Sequence, residues 1–355
     1  MPRLRHFGTH LLISKFELTD ALRYAQLLES QGYDMIQVGD HTLIPGAASP
    51  YPNAHTVLTA MGVLTKKIKL ATAVTDPFRR HPVEIAHALA TLDQLTNGRA
   101  MLGIGAGEMM NLAPFGIDWT KPFTRVKEAI QVIRMLWRAT PSNPVTYEGN
   151  AFRLHDAYLQ TRPSQKILPI YVGALSQRLR ELTGEVGDGY IPIAVESPSS
   201  LRVHLQDVER GAQRAGRTLD DIDVAVTIYT DVSDNEESAY NNVRSAARAG
   251  LIQDRGILKM LTGIEIPREF AVQTMSATDG RVRRQLEELA LTVPREAIEQ
   301  VTAFGSVDRC AHRIEEYLES GATSIVICNV SDNPGKVFEA YAKEIMPMLR
   351  ERFRD

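Results

Sequence analysis

Two polar stretches follow apolar runs in the first third of the chain, and their residue types could carry acid–base chemistry. Asp40 and His41 follow MIQVG, and Glu108 follows MLGIGAG. A histidine exchanges protons near neutral pH, and a carboxyl group does so when its surroundings shift its pKa. Asp40 could equally cap a loop beside a solvent-facing His41. The fold that positions these residues therefore has to decide between the two interpretations.

The segment GIGAGEMMN, residues 103–111, raises the question of a dinucleotide-binding loop. A Gly-x-Gly-x-x-Gly fingerprint that starts at Gly103 needs glycine at position 108, and one that starts at Gly105 needs glycine at position 110. Those positions hold Glu108 and Met110, so the fingerprint is absent. The glycines permit either a tight turn or a close approach of the backbone to a ligand.

Two further stretches could contribute to a binding site. In ATAVTDP, the pair Asp76-Pro77 either begins an ordinary turn or belongs to a bulge that presses against a ligand. In IYVGALSQ, residues 173–176 lead into a predicted helix, whose first N–H groups could bind an anion, although Ser176 could simply be its N-cap. The remaining histidines form no cluster with metal-ligand spacing, so no metal site is predicted.

Short apolar runs alternate with helical patterns along almost the whole chain. Strands are predicted at 6–13, 34–40, 67–74, 99–105, 168–174, 189–195, 221–231 and 323–330. Eight buried strands that alternate with helices favour a (β/α)8 barrel, with a doubly wound open sheet as the alternative. The chain is therefore predicted to be a single barrel domain over residues 1–355, with insertions after barrel strands and a larger insertion at about 250–290.

The four stretches share one place in such a barrel. They follow the second to fifth predicted strands, and the C-terminal ends of barrel strands form the mouth where active sites lie. A possible anion-binding segment at residues 173–176, the glycines of residues 103–107 and the Asp40-His41 pair would all lie around one mouth. This arrangement suggests a long phosphorylated ligand.

The composition narrows the class of protein. The chain has 355 residues, of which 44% are hydrophobic and 23% charged, with a formal net charge of −3. This balance is ordinary for a globular enzyme and lacks the basic character of a nucleic-acid-binding protein. Cys310 and Cys328 are the two cysteines, which fits a reducing, cytoplasmic setting. No apolar stretch is long enough to predict a membrane span, and the partner expected is a small-molecule substrate.

The segments VGDH, ATAVTDPFRRHP, LDQLTNGRAMLGIGAGE and IYVGALS…GEVGDGYI together resemble the luciferase-like superfamily, in particular its branch that uses the deazaflavin coenzyme F420. GRAMLGIGAGE followed by NLAPFGIDWTKP is similar to phthiodiolone ketoreductase-like proteins. The overall pattern is also similar to methylenetetrahydromethanopterin reductase and to deazaflavin-dependent glucose-6-phosphate dehydrogenase. The resemblance implies a (β/α)8 barrel that transfers a hydride between reduced deazaflavin and a carbonyl or iminium carbon, such as a methylene-pterin.

The resemblance also implies roles for individual residues. Asp40, His41 and Glu108 are the expected catalytic residues, with His41 or Glu108 as proton donor, and the peptide bond between Ala73 and Val74 is expected to be cis. The expected cofactor contacts are Asp40, Ala73, Val74, Thr75, Gly105, Ala106, Gly107, Glu108 and Asn111, with Gly173, Ala174, Leu175 and Ser176 as the phosphate seat.

Some relatives place a substrate-shielding aromatic residue shortly after the Asp-His pair. Here Leu43 and Ile44 occupy that stretch, which argues against a sugar-phosphate substrate. A homodimer is expected because relatives pair through helices on the early side of the barrel. The alternatives are an FMN-dependent two-component monooxygenase of the luciferase type and a non-catalytic flavin- or deazaflavin-binding barrel.

Overall fold

The computed structural model describes residues 3–44, 50–267 and 280–353. Its strands are β1 His6–His10, β2 Met35–Val38, β3 Lys69–Thr72, β4 Ala100–Gly105, β5 Val145–Glu148, β6 Arg153–Ala157, β7 Ile170–Gly173, β8 Gly189–Ile191, β9 Asp223–Val232, β10 Thr302–Gly305 and β11 Ser324–Asn329. Part of the insertion expected at about 250–290 lies outside the described residues.

Eight parallel strands close into a barrel. The neighbours run β1-β2-β3-β4-β7-β8-β9-β11, and β11 pairs back with β1. Seven of these strands lie within runs predicted from the sequence, and β9 extends one residue beyond its run, to Val232, so the prediction of a (β/α)8 barrel is confirmed. The open-sheet alternative is wrong, because β8 also pairs with β9 and leaves no free edge in the ring.

Helices cover the outside of the barrel. They are α1 Leu18–Ser30, α2 Ala54–Leu64, α3 Pro82–Leu95, α4 Met109–Leu112, α5 Pro122–Arg138, α6 Gln177–Val186, α7 Pro198–Arg214, α8 Glu236–Gln253, α9 Arg255–Thr262, α10 Gly280–Thr292, α11 Arg295–Val301, α12 Val307–Glu319, α13 Pro334–Ala340 and α14 Met346–Arg352. Side-chain caps fix several starts: Asn53 accepts a hydrogen bond from the Thr56 amide before α2, for example. No helix in the described ranges is long and apolar enough to cross a bilayer.

The core has an inner and an outer layer. Inside the barrel, seven strands contribute one side chain each to a small apolar cluster. Its members are Met35, Ala71, Met101, Tyr171, Ile191, Ala225 and Val326. A much larger cluster fills the space between the strands and the surrounding helices. The barrel interior is therefore a packed core rather than a pore, and ligands can reach only its ends.

Three of the described strands lie outside the eight-stranded ring. β5 and β6 form an antiparallel hairpin after α5, where the sequence analysis predicted no strand. β10 pairs with the last four residues of β9, from Tyr229 to Val232. β9 and β10 together therefore extend the sheet on one side of the barrel beyond the eight-stranded ring.

Candidate active site

His41, Glu108 and Asn111 meet at the C-terminal end of the barrel. Glu108 Oε2 lies 3.4 Å from His41 Nδ1, and their side chains are 32% and 27% exposed. Asn111 Nδ2 lies 3.0 Å from His41 Nδ1 and 3.3 Å from Glu108 Oε2. The sequence placed His41 and Glu108 at one mouth, and the structure brings them into direct contact through the loops that follow β2 and β4.

Asn111 also holds the loop that follows His41. Its side-chain oxygen Oδ1 accepts hydrogen bonds from the backbone amides of Thr42, at 2.7 Å, and Leu43, at 2.9 Å. Asn111 is 3% exposed and lies in the short helix α4, directly after Glu108 and two methionines. One buried amide therefore connects the segment after β2 with the segment after β4.

Asp40 is buried among cationic and hydroxyl partners. Its Oδ2 accepts a hydrogen bond from Thr75 Oγ1 at 2.7 Å and one from Arg80 Nε at 3.1 Å, and Arg79 lies 3.4 Å away. Burial would raise the pKa of this carboxyl, but the hydrogen bond from Arg80 and the charges of Arg79 and Arg80 lower it below its usual value. Asp40 is therefore ionised and connects the end of β2 with the segment that follows β3.

Bare backbone at the ends of β4 and β7 accommodates Val74. A Cβ on Gly105 would lie 2.7 Å from Val74 Cγ2, and one on Gly173 would lie 3.0 Å from Val74 Cγ1. The peptide bond between Ala73 and Val74 is cis, as the resemblance implies. Packing within the protein therefore favours glycine at positions 105 and 173, because Val74 occupies the space that larger side chains would need.

The loop after Gly105 is fixed from both sides. Trp119 donates an indole N–H hydrogen bond to the Ala106 carbonyl at 2.7 Å. Gly107 has a φ of +72°, which favours glycine, and a Cβ there would lie 3.3 Å from Asp76 and Phe78. These contacts place Glu108 at the rim. Asp76 accepts hydrogen bonds from the amides of Phe78 and Arg79, so the TDP segment also makes the predicted turn.

The segment 173–176 leads into α6. Ser176 is exposed and its hydroxyl accepts a hydrogen bond from the Leu179 amide at 3.4 Å, so Ser176 is the N-cap of this helix. Arg180 donates to the carbonyl of Leu175 and is itself held by Asp207 at 2.7 Å. The cap interpretation of Ser176 is confirmed, and the first two residues of α6, Gln177 and Arg178, are exposed.

Several site residues escaped the sequence analysis. Tyr51 packs edge-on against His41, with ring centroids 5.4 Å apart, and His10 at the end of β1 has its pKa lowered to about 4 by burial and by the nearby His41. Arg79 and Arg80 hold Asp40. The sequence could have predicted Arg79 and Arg80 as partners of Asp40, because a buried carboxylate at the end of one strand requires a cation from a neighbouring strand end.

Comparison with known proteins agrees with this geometry. The sequence profile of the family described as luciferase-like monooxygenase matches residues 4–324. The chain belongs to the luciferase-like monooxygenase family. The prediction made from VGDH, TAVTDP and GIGAGE is thereby confirmed for the family.

Relatives of this luciferase-like protein include deazaflavin enzymes. It is 30% identical to an F420-dependent glucose-6-phosphate dehydrogenase of Microbacterium testaceum, over 98% of each chain. It is 28% identical to a 5,10-methylenetetrahydromethanopterin reductase of Archaeoglobus fulgidus, over 92% of this chain and 95% of the relative. Among solved structures, an F420-dependent secondary alcohol dehydrogenase in complex with an F420–acetone adduct superposes with a TM-score of 0.83 at 25% identity, covering 100% of both chains.

Proposed function

We propose that this protein is an F420-dependent oxidoreductase that transfers a hydride between reduced deazaflavin and a carbonyl or methylene-pterin substrate. The observation that carries the proposal is the contact between His41, Glu108 and Asn111 at the barrel mouth, together with the apolar Val74 that packs against Gly105 and Gly173. The relatives named for F420-dependent reactions span nearly the whole chain and support the same cofactor.

The residues present fit a flat, phosphorylated cofactor. Val74, half-buried and packed against Gly105 and Gly173, offers an apolar surface of the kind on which a ring system can lie. The N–H groups at the exposed start of α6 can take a phosphate, since a helix N-terminus favours anions. In this arrangement Ala73, Val74 and residues 105–108 would line the ring, and residues 173–176 would hold the phosphate. Thr75 is fully buried and would act by holding Asp40.

Reduced deazaflavin, when bound, supplies the hydride. The chain's own residues orient the substrate and manage the proton. His41 and Glu108 lie close enough to contact a single substrate oxygen, and their partial exposure leaves both reachable. Asp40 sits too deep for that role, because it is 3% exposed and occupied by Thr75 and Arg80. We therefore assign Asp40 to holding the ends of β2 and β3 in place beside the cofactor.

The choice of cofactor can be tested by binding. Fluorescence and calorimetric titrations of the purified protein with F420, FMN and NAD should give tight binding of the deazaflavin, weaker binding of FMN and none of NAD. The missing Gly-x-Gly-x-x-Gly spacing is the reason to expect no NAD binding. NAD affinity equal to that of F420 would contradict the proposal, and tighter FMN binding with oxygen consumption would favour the monooxygenase alternative.

The substrate class requires an anaerobic assay. Reduced F420 is followed as it is oxidised in the presence of a panel of ketones and a panel of methylene-pterins, with glucose 6-phosphate and oxidised F420 as the reverse arm. We expect turnover with a ketone or an iminium carbon. Lack of turnover in every arm, although F420 binds, would favour the non-catalytic binding barrel instead.

We propose further that the protein is a homodimer through its first three helices. Leu27 on α1, Val63 on α2 and Leu95 on α3 are exposed apolar side chains in the last turns of neighbouring helices, and a second copy would bury them. Light scattering should give twice the mass of 39.5 kDa. Val63→Glu should shift the mass toward that of one chain, whereas Leu291→Glu on α10 should not. A monomeric wild type would contradict this assignment.

We also assign the protein to the cytoplasm. Cys310 and Cys328 are both buried free thiols, and burial raises the pKa of each to about 12, so they remain protonated. Two buried thiols that form no disulfide fit a reducing compartment. Fractionation of the source cells tests this placement.

A further inference from the structure

The orientation of the Asn111 amide is determined by its surroundings. Two backbone N–H groups, from Thr42 and Leu43, point at one end of the amide, and only an oxygen can accept from both. The opposite orientation would place the NH2 group against two donors. The Asn111 oxygen therefore faces the loop, and its NH2 group faces His41 and Glu108.

This orientation constrains the proton on His41. The NH2 group of Asn111 has two hydrogens and two acceptors in reach, Nδ1 of His41 at 3.0 Å and Oε2 of Glu108 at 3.3 Å. Glu108 Oε2 could accept a proton from the same Nδ1, but it lies farther away, at 3.4 Å, than the Asn111 nitrogen at 3.0 Å. Because an amide nitrogen does not accept, the closer contact favours an unprotonated Nδ1 in the neutral imidazole. The proton of neutral His41 then sits on Nε2, which has no hydrogen-bond partner within the described ranges.

We infer that Asn111 is a positioning residue that holds neutral His41 as its Nε2–H tautomer, so that His41 presents a hydrogen-bond donor to the substrate oxygen. The second half of this inference rests on the proposed function. When a hydride reaches a carbonyl carbon, the carbonyl electron pair moves onto oxygen, and a donor already aimed at that oxygen stabilises the developing charge.

The inference separates the roles of His41 and Glu108. Loss of the Nε2 proton from a neutral imidazole would leave an imidazolate, so His41 donates a hydrogen bond and keeps its proton. The proton that completes the alcohol has to come from another acid, and Glu108 is the acid in contact with His41. Asn111, which the resemblance assigned to the cofactor, is assigned here to the protein's own acid–base pair.

The test is the protonation of the two ring nitrogens, read by long-range proton–nitrogen NMR. The protein is labelled with nitrogen-15 histidine, and the His41 signals are assigned by their loss in His41→Gln. At a pH well above the histidine range, wild type should carry the proton on Nε2. Asn111→Asp keeps an acceptor for both loop amides but accepts from Nδ1, so His41 should change to the Nδ1–H tautomer.

Two control variants identify the cause of a change. Asn241→Asp adds the same charge on an exposed position of α8 and should leave the tautomer and the activity unchanged. Glu108→Gln should also leave the proton on Nε2, because the Asn111 amide still faces Nδ1. If Asn111→Asp does not fold, the wild-type and Glu108→Gln spectra decide. A proton on Nδ1 in wild type, or a tautomer that follows Glu108 rather than Asn111, would overturn the inference.

Activity provides a second readout. Asn111→Asp should lower ketone turnover at least about tenfold, the low end for loss of a positioned acid–base group, and should change the affinity for F420 by less than about threefold. Because the spectra need neither cofactor nor substrate, a failure of the proposed function leaves them readable. A wrong tautomer contradicts the inference even where the reaction is found.

Discussion

The two ends of the barrel use their polar groups in opposite ways. At the N-terminal end, Asp223 accepts hydrogen bonds from Tyr171, Thr323 and Ser324, at 2.5 to 2.8 Å, and is 3% exposed. At the C-terminal end, His41 and Glu108 are about one-third exposed and keep unused hydrogen-bonding capacity. A polar network in which every group is hydrogen-bonded stabilises a fold, whereas polar groups with unused hydrogen-bonding capacity can bind a ligand. The comparison therefore assigns stability to one end and chemistry to the other.

The largest expected effect is a loss of turnover, without a loss of stability, from substitutions at the C-terminal end of the barrel. His41→Asn and Glu108→Gln should each lower ketone turnover by at least about tenfold, and by up to about 10⁴-fold, while the affinity for F420 changes by less than about tenfold. The free energy of unfolding should stay near that of wild type, because both side chains are partly exposed. An iminium substrate needs no acid and should be spared. Full ketone turnover in both variants would refute the assigned roles.

Asp223→Ala should have the opposite profile. It leaves the hydroxyls of Tyr171 and Ser324 buried without their acceptor, which should lower the free energy of unfolding by roughly 2–3 kcal/mol. Turnover per folded molecule should be unchanged. Urea unfolding measures the loss, and Asp220→Ala, which removes the same charge from an exposed neighbour, is the matched control. Lost turnover in a folded Asp223→Ala protein would mean that the two ends are coupled.

The apolar packing beneath the site can be tested with a double-mutant cycle. Gly105→Ala places a Cβ 2.7 Å from Val74 Cγ2, and this overpacking should cost roughly 1–3 kcal/mol of stability. Val74→Ala in the same chain should recover most of that loss, since the colliding methyl is gone. Gly335→Ala, where the nearest atom is 3.8 Å away, should be neutral or stabilising. Additive effects of the two changes would show that Val74 is not the obstacle.

The elements that the sequence predicted are those with a strong local signal. All eight ring strands are apolar runs bounded by helices, and their buried faces made them recognisable. α11 runs directly into β10 at Thr302, so no turn residue marks where this strand begins. The β5–β6 hairpin has mostly exposed or half-buried residues and no apolar run, so its strands cannot be distinguished from loops by pattern.

The site also has a part that the sequence predicted and a part that only the structure shows. Asp40, His41 and Glu108 stood out because they end apolar runs that a barrel brings to one mouth. The contact of Asn111 with His41 joins residues 70 positions apart, and that of Arg80 with Asp40 spans 40 positions. Such pairings depend on the packing of three loops, which no local pattern in a single sequence encodes.

The smallest expected effect is an acid sensitivity, and it sharpens the comparison between the two ends. Burial and the charge of His41 lower the pKa of His10, at the mouth, to about 4, whereas an unfolded histidine titrates near 6.5. Between these values the unfolded chain binds more protons, so stability falls as the pH drops through this window. At about pH 5 the contribution should be roughly 1–2 kcal/mol.

His10→Gln should remove part of this loss, measured as the difference in urea unfolding between about pH 7.5 and about pH 5. Three other histidines share the sign, since burial lowers the pKa of His55 to about 4 and also lowers the pKa of His81 and of His6, which lies at the opposite end. His6→Gln is therefore the counterpart at the N-terminal end, and exposed His87→Gln is the control. We expect the larger recovery from His10→Gln, because its pKa is lowered by burial and by a second histidine of the site. An equal recovery from His6→Gln would mean that acid sensitivity does not distinguish the mouth from the base of the barrel.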